Sequence, residues 1–347
     1  MSRFLSAARA SLTPYVPGEQ PQNRKYIKLN TNESPFPPSP EAQRLARAEA
    51  EKLMLYSDPE CRDLVKAASE KLGIGPDEIL FTNGSDEILN FAFMAFGGSA
   101  VFPDITYGFY PVFASLNGVD YTEIPLRDDF TVDVNDYIGI GRNIFIANPN
   151  APTGILLPKA DIERIVAGNP DNVVVVDEAY VDFGGESVLP LIRKYDNLLV
   201  VQTFSKSRSL AGARLGFGAA CPELIADLDR IKYATNPYNV NRMTMAAGVG
   251  ALTDTAYFEE NRRKIIKTRE RVTERLKRLG FILPESSANF VFAAHPGIDG
   301  KALYLALKEC GVLVRHFDKP RLTAYNRITI GSDEEMDTFL KITEEIL

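Results

Sequence analysis

Soft metal ligands are scarce in this sequence. It has three cysteines, Cys61, Cys221 and Cys310, and two histidines, His295 and His316. A structural zinc site has little to be built from. The cysteines are odd in number and form no CxxC pair, which argues against a disulfide framework and for a reduced, cytoplasmic setting. An excess of basic residues is also missing. Lysine and arginine total 39 against 46 for aspartate and glutamate, which gives a formal charge of −7. That balance speaks against nucleic acid or an anionic membrane as the main partner, and leaves room for an anionic small molecule in a local basic pocket. No apolar run approaches the roughly 18 residues of a membrane helix. The polar, alanine-rich first eleven residues lack the apolar core of a signal peptide.

What is present is an ordinary globular composition. Hydrophobic residues make up 45% of the 347 residues and charged residues 24%. That length suggests about two domains. Proline punctuates the first 40 residues at Pro14, Pro17, Pro21, Pro35, Pro37, Pro38 and Pro40. Tyr15, Val16, Tyr26, Ile27, Leu29 and Phe36 lie among them, so residues 1–40 read as an N-terminal arm packing on the smaller domain and the candidate site.

Between Ile79 and Ala220, short apolar runs alternate with helical patterns. Strands are expected at Ile79–Thr82, Ala100–Phe102, Asp120–Pro125, Asn143–Ala147, Val173–Asp177, Leu198–Thr203 and Leu215–Ala219. Helices are expected at Asp86–Phe96, Gly108–Leu116 and Lys159–Ala167. Continuous apolar strands alternating with helices imply a mainly parallel α/β sheet of seven strands, covered on both faces. Residues 41–241 therefore form a large domain. Residues 242–347 form a smaller α+β unit with a long amphipathic helix at Ala256–Leu279, strands near Asn289–Ala293, Val312–Phe317 and Arg327–Ile330, and helices at Lys301–Cys310 and Glu334–Leu347. The basic residues of the long helix alternate with Glu259, Glu260, Glu270 and Glu274, the mark of a solvated face.

Chemistry concentrates at the ends of the buried strands. Asp177 follows a run of valines, in Asp177-Glu178-Ala179-Tyr180. Lys206 follows the next strand, in Thr203-Phe204-Ser205-Lys206. Arg214 comes eight residues later. Open α/β sheets bind ligands at the carboxyl ends of their strands. A buried acid, a lysine and an arginine there suit pyridoxal 5'-phosphate, which needs an acid at its ring nitrogen, a Schiff-base lysine and donors for its phosphate.

The motifs Asn148-Pro149-Asn150-Ala151-Pro152-Thr153-Gly154, Asp177-Glu178-Ala179-Tyr180 and Ser205-Lys206 extend this reading. With them the chain resembles fold-type I pyridoxal-phosphate enzymes of the aspartate aminotransferase superfamily. Leu12-Thr13-Pro14-Tyr15-Val16-Pro17-Gly18-Glu19 and Leu29-Asn30-Thr31-Asn32-Glu33 are similar to the N-terminal segment of the histidinol-phosphate aminotransferase family. The resemblance implies catalytic roles for Lys206, Asp177 and Tyr180. It implies cofactor contacts from Ser85 and Asp86 at a helix start, Tyr107 on the ring, Tyr180 on the ring hydroxyl, and Thr203, Ser205 and Arg214 on the phosphate. Tyr56 would reach the phosphate of a neighbouring subunit, in a homodimer with shared sites. Arg327 would bind the substrate anion, with Arg315 and Tyr15 added for a substrate phosphate.

The implied activity is transfer of an amino group between L-histidinol phosphate and 2-oxoglutarate or glutamate, in histidine biosynthesis. Many relatives carry asparagine before the Pro-Thr-Gly, where this chain has Ala151; either Asn150 substitutes or Tyr180 acts alone. Pro152 makes the preceding bond a candidate cis peptide. Two alternatives share much of the pattern: a threonine-phosphate decarboxylase, and an aminotransferase for aromatic amino acids. A binding protein without catalysis is disfavoured by the intact Lys206 and Asp177. A dehydrogenase is disfavoured by the lack of GxGxxG between a strand and a helix.

Overall fold

The structure, a computed structural model, describes residues 2–347. Met1, the first residue of the expected arm, lies outside them. In chain order the elements begin with a helical turn α1 (Ala7–Ala10), strand β1 (Ile27–Lys28) and helices α2 (Pro40–Ala50) and α3 (Arg62–Leu72). Then come β2 (Ile79–Asn83), α4 (Ser85–Phe96), β3 (Ser99–Pro103), α5 (Tyr110–Asn117), β4 (Asp120–Ile124), β5 (Asn143–Ala147), α6 (Lys159–Ala167), β6 (Val174–Asp177), β7 (Leu198–Thr203) and β8 (Leu215–Ala219). The remainder is α7 (Pro222–Thr235), α8 (Arg242–Thr253), α9 (Thr255–Arg278), β9 (Phe290–Ala294), α10 (Gly300–Glu309), β10 (Val312–Leu313), β11 (Arg315–His316), β12 (Tyr325–Thr329) and α11 (Asp333–Ile346).

Seven strands form one sheet in the order β2-β8-β7-β6-β5-β3-β4. Strand β8 runs antiparallel to both of its neighbours, and the other neighbouring pairs are parallel. Side chains alternate across the sheet, as the two-residue strand period requires. Leu198 and Val200 of β7 pack on one face with Leu64, Ile165 and Ala251. Leu199 and Val201 pack on the other with Ile88, Phe91, Phe113 and Leu228. Both faces are covered, so these strands read as unbroken apolar runs.

The last third of the chain builds a three-stranded antiparallel sheet, β11-β12-β9. Ile265, Val272 and Leu276 of α9 pack there with Phe290, Leu303 and Phe339. The arm joins this unit: β1 pairs in parallel with β10, and Leu29 is buried in the same cluster. The single strand expected over Val312–Phe317 is split, because β10 pairs with the arm while β11 pairs with β12.

The expected boundary at 241/242 precedes α8. Helix α8 buries Ala247, Ala251 and Leu252 in the cluster of the large sheet. A division after Asp254, between α8 and α9, fits this packing.

Candidate active site

The parallel strands β5, β6 and β7 end side by side, with Ala147 opposite Asp177 and Asp177 opposite Val201. Because β8 runs the other way, it starts at this edge, where Leu215 and Gly216 face Asn83 and Thr203. The reversal delivers Arg214 to the edge that also holds Lys206. A cavity of about 440 Å³ opens there. Among the residues proposed from sequence, Ser85, Asp86, Tyr107, Asp177, Tyr180, Thr203, Ser205, Lys206 and Arg214 line it.

One end of the cavity is a cradle of donors. Gly84 at the start of α4 has no side chain to cap the helix, so the first N–H groups of the helix carry no side-chain partner. The hydroxyls of Thr203 and Ser205 lie 3.0 Å apart beside it. Arg214 donates to Asp86 at 2.8 Å. Two glycines permit the closeness: a Cβ on Gly84 would run into the Arg214 guanidinium, and one on Gly216 into the backbone N of Ser85. Gly84 also sits at φ 76°, where side chains are strained. An uncapped helix start with an arginine and hydroxyls is a phosphate site in its chemistry.

Asp177 lies deeper. Its carboxylate accepts from Tyr110 Oη at 3.1 Å and from the Ala179 N–H at 3.1 Å. Among the described residues it has no ion-pair partner. Burial pushes its pKa up from 3.8 to about 7, against the lowering pull of those hydrogen bonds and of Lys206. A buried acid in this state gains from a cationic ring nitrogen. Among the described residues Lys206 Nζ donates only to the Thr31 carbonyl, at 3.2 Å, and it lies 5.8 Å from the Tyr180 ring centre. The donor set therefore fits pyridoxal phosphate: phosphate cradle, buried carboxyl and available amine.

Tyr107 donates to Asp86 at 2.6 Å, and burial holds its phenol well above the usual range. Asn150 does not reach the cavity wall. Its amide is spent on the Ile105 carbonyl and Thr153 Oγ1, both at 3.0 Å, and Ala151 takes the lining position. This packing favours the second of the two readings, in which Tyr180 acts without Asn150. Both Asn148–Pro149 and Ala151–Pro152 are cis. Tyr56 lies apart on the surface, 80% exposed and stacked on Tyr238 at 4.7 Å.

Arg315 and Arg327 face each other directly across β11 and β12. Like charges in that position repel. Arg315 donates to the arm carbonyls of Val16 and Pro17. Arg327 donates to the Asn30 carbonyl at 3.0 Å, its buried Nε has no partner, and burial lowers its pKa. Neither has a carboxylate partner among the described residues. The Phe317 ring sits beside both, 5.4 Å from Arg315 and 5.7 Å from Arg327. Tyr15 stacks on Phe109 at 4.2 Å, with Tyr107 6.4 Å away.

Several contributors escaped the sequence reading. Gln20, Thr31 and Glu33 bring the arm into the cavity wall. Tyr110 holds Asp177, and its spacing of three from Tyr107 at the start of α5 was the available signal. Asn32 donates to Tyr180 Oη at 2.9 Å.

The model of the family described as aminotransferase class I and II matches residues 24–342. A histidinol-phosphate aminotransferase of Brachyspira hyodysenteriae is 50% identical over all of this chain and 99% of its own length. That of Aromatoleum aromaticum is 49% identical, with both chains covered completely. The crystal structure of histidinol-phosphate aminotransferase from Sinorhizobium meliloti, in complex with pyridoxal-5'-phosphate, superposes with a TM-score of 0.89 at 25% identity, covering 100% of this chain and 99% of that one.

Proposed function

The chain belongs to the class I and II aminotransferase family, and from that premise we propose that it moves an amino group between L-histidinol phosphate and 2-oxoglutarate, as a step of histidine biosynthesis. It is a pyridoxal-phosphate-dependent transaminase. When bound, the cofactor supplies an electron sink that makes the C–H bond beside the amino group breakable.

The residues of the chain do the rest. The first N–H groups of α4 at Ser85 and Asp86, the hydroxyls of Thr203 and Ser205, and Arg214 would hold the phosphate. Asp177 would keep a proton on the ring nitrogen, Tyr107 would cover the ring, and Tyr180 Oη would donate to the ring oxygen. Lys206 Nζ would hold the aldehyde carbon and would take the proton from the substrate carbon as general base and return it as general acid. Tyr56 completes the phosphate site of a second subunit in a homodimer. The exposed side chains of Leu53, Met54, Leu55 and Tyr56 supply apolar surface for such a contact. Free cysteines and the lack, among the described residues, of a helix long and apolar enough to cross a membrane are compatible with a cytoplasmic enzyme.

The observation that carries the substrate assignment is the facing pair Arg315 and Arg327. Two guanidiniums without carboxylate partners match a phosphate dianion better than a lone carboxylate. The carboxylate of 2-oxoglutarate needs only Arg327. Relatives named for histidinol phosphate favour this reading over a lyase. Titration of the purified holoprotein with histidinol phosphate should convert its visible absorption to that of the amine form, reversed by 2-oxoglutarate. Carbon dioxide release from threonine phosphate, without that conversion, would overturn the assignment.

A further inference from the structure

Ala151 leaves the ring-oxygen side of the cavity without a side-chain donor on that turn, and Asn150 is committed elsewhere. A different asparagine is aimed at the hydroxyl of Tyr180. Asn32, on the arm, is 1% exposed, and its Nδ2 donates to Tyr180 Oη at 2.9 Å. The neighbouring contacts agree with that direction. The Thr329 hydroxyl accepts the Asn32 backbone N–H at 3.0 Å and donates to Asn32 Oδ1 at 2.9 Å. With Oδ1 accepting there, Nδ2 faces the tyrosine. The backbone of Asn32 lies at φ 57°, a left-handed conformation that asparagine tolerates better than most residues. Asn289 also donates to its carbonyl at 3.1 Å.

We propose that Asn32 is a positioning residue for the cofactor, acting through Tyr180. By filling a lone pair of the phenol oxygen, the amide leaves Tyr180 with its own proton as the free donor. Accepting a hydrogen bond also polarises that O–H and strengthens it as a donor. The arm thereby performs from 119 positions upstream in sequence what a neighbour of Pro152 could have performed directly. This inference rests on the cofactor reading above; covalent capture of the coenzyme on Lys206 by borohydride in the native chain tests that reading by itself.

The specific test follows the pH midpoint of the coenzyme's visible absorption in the holoprotein. A donor on the ring oxygen competes with the proton held between that oxygen and the Lys206 nitrogen, so a weaker donor raises the midpoint. Asn32→Gly removes the amide and tolerates the left-handed backbone. It should raise the midpoint by roughly half a pH unit or more, the size of one modest hydrogen bond. In a Tyr180→Phe background the same substitution should add no further shift. An unchanged midpoint in Asn32→Gly overturns the proposal, and so does an equal shift with and without the Tyr180 hydroxyl. If Asn32→Gly does not fold, Thr329→Val serves instead. It frees the amide to turn, should shift the midpoint the same way, and overturns the proposal if the midpoint stays put.

Discussion

Burial turns ordinary side chains of this protein into poised ones. Asp177 is the clearest case, with its pKa pushed from 3.8 up to about 7 by loss of water. A carboxyl raised in the folded state holds its proton more tightly than the unfolded chain does. Stability therefore falls as pH rises from about 4 through about 7, and no penalty remains at lower pH. Asp177→Asn should stabilise the cofactor-free protein by on the order of 4 kcal/mol at pH 8, with the gain vanishing toward pH 4. The same variant should lose at least about a hundredfold in turnover, because its amide cannot keep the ring nitrogen charged. Melting curves across pH and single-turnover kinetics check both halves. For the arginines, Arg327→Ala should weaken both half-reactions, whereas Arg315→Ala should raise KM for the phosphorylated substrate about tenfold or more and spare 2-oxoglutarate. Equal losses for the two substrates in both variants would remove the basis for assigning a phosphate to Arg315. Asp177, Tyr180, Lys206 and Arg214 were legible in the sequence because each adjoins an apolar run that marks a buried strand. Thr31, Asn32 and Glu33 were not singled out: the arm was expected to pack on the site, but nothing local says which of its residues reach the cavity. The choice between Asn150 and Tyr180 alone was not legible, because the tight turn closed by Gly154 N–H on the Asn150 carbonyl, at 2.7 Å, leaves the Asn150 side chain facing inward.

At the level of elements, all seven strands of the large sheet were readable; burial on both faces leaves apolar runs in the central ones, whereas β4 is an exposed edge strand. Their directions were not all readable. A buried antiparallel strand has the same apolar signature as a parallel one, so the reversal of β8 came only with the structure. Helices α2, α3, α7 and α8 were not read either. In α8, Ala247, Gly248, Gly250 and Ala251 make a small-residue face without the apolar periodicity of a surface helix. The reversal of β8 places a demand on Gly216, which lies against Ser85 N. Gly216→Ala should force the strand away from the helix start at a cost of about 1–3 kcal/mol, and weaken coenzyme binding about tenfold. Fluorescence titration of the coenzyme against this variant checks the expectation; native affinity would show that the gap can open freely.

For the whole molecule, the open question is how many chains make one working site. The patch from Leu53 to Tyr56 is exposed and apolar, and Tyr56 lies outside its own cavity. Sedimentation should give a dimer. Tyr56→Phe should lower coenzyme affinity several-fold without lowering the melting temperature of the cofactor-free protein. Mixing Tyr56→Phe with an inactive Lys206→Ala chain should then yield hybrids in which one kind of site combines both lesions and the other has neither. A monomer with full activity would end the shared-site reading.

The guanidiniums facing each other on β11 and β12 also make the choice of buffer part of the enzymology. Inorganic phosphate or sulfate should relieve their repulsion and raise the melting temperature at low ionic strength, as any ligand selective for the folded state does. The same oxyanions should inhibit competitively against the phosphorylated amine, whereas Hepes or chloride at equal ionic strength should do neither. Assays run in phosphate would then understate the affinity of the enzyme for its substrate.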